Sequence, residues 1–77
     1  MEEVRLYFII AHTPFVKVWD GVQIRYFRVL AEDGKIVERP VKQEDRVLLM
    51  DSMAEREWVN EAVAFSIARD PDYFSHI

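Results

Sequence analysis

The chain has no cysteine, two glycines and two histidines, and each scarcity closes a class of chemistry. Without cysteine there is no disulfide, no thiolate metal site and no cysteine nucleophile, a usage that suits a reducing cytoplasm. Gly21 and Gly34 each sit in a turn signal, so the chain lacks a phosphate-binding loop and a dinucleotide fingerprint. His12 and His76, unaccompanied by thiols and without paired spacing, do not make a zinc site. Asp70 and Asp72 flank Pro71 with no glycine at the turn position of a calcium loop, and read as a helix stop. The nearest groups to the imidazoles in sequence are Thr13, Asp70 and Asp72. A small hydrolase would need His12 in a concave pocket with a carboxylate beside it, which sequence adjacency does not supply. No catalytic residue, metal or cofactor is therefore expected.

Long apolar runs are also missing. The start, MEEVRLYFII, carries acids in place of a basic region and is far too short to span a bilayer, so neither a signal peptide nor a membrane helix is expected. Charge of one sign is not concentrated anywhere, and the net charge is −4. That argues against a nucleic-acid binder that works by counterion release.

What is present is apolar: 51% of the residues are hydrophobic, including five Phe, three Tyr and two Trp, which is ample for folding. Seventy-seven residues predict one small globular domain, 1–77, burying about 60% of its unfolded surface.

The stretch Ser52 to Arg69 carries the clearest helix signal. Ser52 followed by Glu55 has the form of a capping box, Arg69 suits the negative end of the helix dipole, and Pro71 forbids continuation. At about 100° per residue, Trp58, Val59, Ala62 and Phe65 share one face, opposite Arg56, Glu57, Asn60 and Glu61. In the second half Ala64, Ile67 and Ala68 replace the charges, so that half needs cover on more than one side.

Upstream the pattern is β. Val4, Leu6, Phe8 and Ile10 alternate as the inward positions of an interior strand, which His12-Thr13-Pro14 ends. Asp20-Gly21 predicts a two-residue hairpin turn that places Trp19 opposite Val22 and Phe15 opposite Tyr26. Around Glu32-Asp33-Gly34 a two-residue loop would oppose Arg28 to Arg39. A three-residue bulged loop opposes Arg28 to Glu38 instead, and charge favours it. Residues 42–50 suit a short helix or a buried strand, the helix slightly better. The tail from Tyr73 to Ile77 is apolar enough to dock back.

These readings give an α+β fold: an antiparallel, hairpin-rich sheet of about four strands against one long C-terminal helix. One sheet face gathers Phe15, Trp19, Val22, Ile24, Tyr26, Leu30 and Ile36. The other gathers Val16, Val18, Phe27, Val29 and Val37, with Gln23, Arg25 and Arg39 among them. One helix covers one face, so a surplus remains. The expected function is a non-catalytic protein-interaction module, a small subunit, regulator or inhibitor docking onto another protein or itself. Its expected interface is Ala64, Ile67 and Ala68 on the helix with Phe27, Val29 and Val37 on the sheet. The alternative is a nucleic-acid surface at Arg25, Tyr26, Phe27 and Arg28, but alternation splits that group between the two faces.

Overall fold

The computed structural model describes residues 2–51 and 55–76. Four strands come first: β1 (Val4–Ile10), β2 (Thr13–Trp19), β3 (Ile24–Glu32) and β4 (Lys35–Pro40). Helix α1 (Gln43–Met50), strand β5 (Glu57–Val59), helix α2 (Glu61–Arg69) and a 3₁₀ turn (Tyr73–His76) follow. The sheet is antiparallel throughout, in the order β4-β3-β2-β1-β5. The α+β class and the interior position of β1 are as expected. The long helix and the strand count are corrected: among the described residues, five strands and two short helices build the fold.

The C-terminal helix starts at Asn60, not at Ser52. The Asn60 side chain accepts a hydrogen bond from the Val63 N–H at 2.9 Å, and asparagine is among the best caps. Upstream, Glu57–Val59 fills the second edge of β1, pairing Phe8 with Trp58 and Tyr7 with Val59. Aromatic and β-branched residues suit that strand. Ser52, the expected cap, lies outside the described residues. Asp70 closes α2 with its N–H on the Ser66 carbonyl at 3.0 Å, ahead of Pro71.

Both expected hairpin registers are also corrected. Asp20 shapes a longer first loop by accepting from the Val22 and Gln23 N–H groups at 2.8 and 2.9 Å, with Gly21 at φ 96°. Trp19 therefore faces Ile24 and Phe15 faces Arg28, a shift of two residues that keeps the side chains of β2 and β3 on their expected faces but moves Val22 out of the strand into the loop. The second hairpin uses the two-residue turn Asp33-Gly34, at φ 52° and 78°, and does oppose Arg28 to Arg39. Each arginine has its own carboxylate: Arg28 lies 3.8 Å from Asp45 of α1, and Arg39 lies 2.5 Å from Glu32. The repulsion that disfavoured this register is thus screened locally. A one-residue difference reverses faces, so Ile36 joins the Phe27 side and Val37 joins Leu30.

Helix α2 covers one sheet face, where Tyr7, Val16, Val18, Val29 and Ala64 form a buried cluster flanked by Phe27, Ile36, Val59, Phe65 and Ala68. The ring edge of Tyr7 meets Phe65 at 5.8 Å between centroids. On the second face Phe8, Ile10 and Phe15 are buried beneath Val41, Leu48 and Leu49, with Tyr26 at the side. The rings of Phe8 and Phe15 stack at 5.6 Å, and the Arg56 guanidinium lies 4.6 Å above Phe8. Two short helices on opposite faces thus replace one long helix on one face.

Candidate functional site: the open half of the second sheet face

Pairing fixes what the second face presents. Ile24, Trp19 and Val4 stand abreast on β3, β2 and β1, and Tyr26, Lys17 and Leu6 form the next row. Phe8 and Phe15 follow with Trp58 beside them. An eight-residue helix is about 12 Å long, so α1 can cover only part of a face several strands wide. It sits over Phe8, Ile10 and Phe15 and leaves the first rows open. Val4, Leu6, Trp19, Ile24 and Trp58 are 49, 46, 42, 49 and 52% exposed, all on this face. Two cations stand among them: Lys17, half-buried between Leu6 and Tyr26, and Arg56, whose guanidinium lies 5.8 Å from the centre of the Trp58 ring.

The open rows lead into a cleft of about 620 Å³ at the β4 side, lined by Tyr26, Pro40, Val41, Arg46, Leu49 and Met50 among others. Strand β4 stops at Pro40, opposite Phe27, so the residues of β3 before Phe27 have no partner on that edge. Two arginines border the cleft. Arg25 is 3.1 Å from Asp20, whereas Arg46 has no ion pair among the described residues.

None of the six residues expected at an interface is exposed. Val29, Ala64 and Ile67 are buried, and Phe27 and Ala68 pack against the α2 cluster. Val37 is half-buried on the opposite face. The Phe27 side of the sheet is covered by α2 itself. Of the nucleic-acid group, Arg25 and Phe27 lie on the α2 face and Tyr26 and Arg28 on the other, as alternation requires. Both arginines face a carboxylate, Asp20 and Asp45.

His12 occupies the β1–β2 turn, where Ala11 and His12 have φ 49° and 62° although neither is glycine. Its ring stacks on Phe74 at 4.0 Å, which anchors the tail. A shallow pocket beside it also takes in Glu55, Arg56 and Glu57, but His12 makes no hydrogen bond among the described residues. No group of three metal-ligating side chains occurs among the described residues. No described helix is long and apolar enough to cross a membrane.

Sequence reasoning placed Trp19 and Ile24 on one face correctly but took the Phe27 side as the uncovered one. The signal that could have helped was Lys42 to Met50, whose Leu48 and Leu49 span too little to cover the first rows. Compared with known proteins, the chain matches no family model, no curated protein and no solved structure, so its geometry alone carries the functional reading.

Proposed function

We propose that this chain is a non-catalytic protein-interaction module that docks through the open half of its second sheet face. One observation carries the reading: five large apolar side chains, each 42–52% exposed, all lie on one sheet face beside the half that α1 covers. Scattered exposed apolar residues are ordinary, whereas a contiguous group on one flat face marks a contact surface. Tryptophan is over-represented among residues that dominate interface energies, and a rigid sheet presents Trp19 at low entropic cost. A small domain gains by burying every apolar side chain it can. Leaving these in water sacrifices stability for availability.

A photo-crosslinking amino acid at position 19, with a second at Ser66, exposed on α2 over the opposite sheet face, tests the reading in cells. Position 19 should give a discrete protein adduct, lost when Val4 and Ile24 are both changed to Lys, while position 66 should give none. An adduct of twice the chain mass identifies a second copy as the partner. Absence of any adduct at position 19 overturns the proposal.

A further inference from the structure

Deepening that reading, we propose that the cleft beside β3 receives an extended, acidic segment of a partner protein, which adds to the sheet in the track that β4 vacates. The backbone comes first. The two residues flanking a two-residue hairpin turn exchange hydrogen bonds, and such pairs then recur at every second residue. With Glu32 opposite Lys35, the pairs Leu30–Val37 and Arg28–Arg39 belong to that series. Continuing along β3, Tyr26 and Ile24 turn their N–H and C=O groups to the β4 side. β4 has ended at Pro40, and no backbone hydrogen bond of the described residues occupies those groups. They are about 6.8 Å apart along the strand, a spacing that only an extended chain meets repeatedly.

The walls then select side chains. Leu49 and Met50 of α1 stand over the edge, and Met50 is 84% exposed, so one parity of the incoming strand meets an adaptable apolar wall. Arg46 supplies a cation without an ion pair among the described residues, and Arg25 a second whose Asp20 contact is solvent-exposed. Among the described residues no acidic side chain lines the cleft, although the chain as a whole is −4. Charge complementarity therefore favours a carboxylate on the occupant, held by a charge-assisted bond to guanidinium. Strand addition at an open edge, with backbone bonds giving affinity and side-chain pockets giving specificity, is a recurrent peptide-recognition mode.

Panning a random nonapeptide display library on the full chain, then measuring selected synthetic peptides by fluorescence anisotropy, tests this. Enriched peptides should carry an acid next to alternating apolar residues. Arg46→Glu, which leaves the core untouched, should weaken binding about tenfold or more, and replacing the peptide's acid by lysine should restore binding to that variant. N-methylation of alternate peptide nitrogens should abolish binding at one parity and spare it at the other. Failure to enrich any peptide, or binding indifferent to both Arg46→Glu and N-methylation, overturns the inference. If such indifferent peptides are displaced by Trp19→Glu, docking through the open face stands and only the cleft assignment falls.

Discussion

Ile10 and Ile24 lie on the same face of the sheet, two strands apart in the order β3-β2-β1, and differ in cover: Ile10 is 2% exposed beneath α1, Ile24 is 49% exposed. Changing each to alanine is therefore one chemical perturbation in two environments. The change removes three carbons, about 2.4 kcal/mol at 0.8 per buried methylene, and at Ile10 it also leaves a cavity beside Phe8 and Phe15. A loss of about 3–4 kcal/mol follows there. At Ile24 half of that surface is already wet and no cavity forms, so about 1 kcal/mol is expected. Alanine's poorer strand propensity enters both variants and cancels in the comparison. A chain of this size has about 4–12 kcal/mol of stability in all, so Ile10→Ala approaches unfolding, and Ile10→Val at about 1 kcal/mol gives a milder point on the same line. Urea unfolding followed by circular dichroism reads both losses from the midpoints at constant slope. Equal losses at Ile10 and Ile24 would mean that the open rows are covered, and the docking face would have to be abandoned.

Three further outcomes follow from the geometry. Arg28→Met leaves Asp45 buried without its cation and should cost about 1–2 kcal/mol, most of it recovered in the double variant Arg28→Met/Asp45→Asn, which removes the charge but keeps an acceptor for the Lys42 N–H; strictly additive losses in urea titrations would show the two do not interact. The backbone N–H groups of Gln23 and Val22, with Arg25 contributing, hold the Asp20 carboxyl below its ordinary value, and the Arg39 hydrogen bond does the same for Glu32. A lowered folded value means stability that is fully present above the unfolded pKa, about 4, and lost as pH falls through the folded values. The urea midpoint should thus drop between about pH 5 and pH 3, and less so in Asp20→Asn/Glu32→Gln, whereas an identical drop in that variant would assign the acid sensitivity elsewhere. Ala11→Gly relieves a left-handed alanine and should raise stability by about 0.5–1 kcal/mol; a loss would mean the turn is not strained.

Much of this architecture was legible locally. The Asp-Gly pairs marked both β-hairpins around β3, the alternation in β2 and β3 sorted their side chains by face, and Pro71 marked the end of α2. What escaped depended on distant partners. The like-charged pair Arg28–Arg39 looked unfavourable because its counter-ions, Asp45 and Glu32, come from α1 and from the far end of β3. Trp58 and Val59 fit helical spacing as well as a strand, and the open edge of β1 decided between them. The Ala11-His12 turn had no glycine to announce it. The apolar surplus was visible, but which face it occupied depended on where each helix docked, and α2 took the side expected to be open.

Crosslinking from position 19 in the Val4→Lys/Ile24→Lys background tests the docking face most directly when read beside the variant's circular dichroism. The native spectrum should persist, because both side chains are half in water already, while the protein adduct disappears. An adduct undiminished in the folded variant would contradict a docking surface on this face.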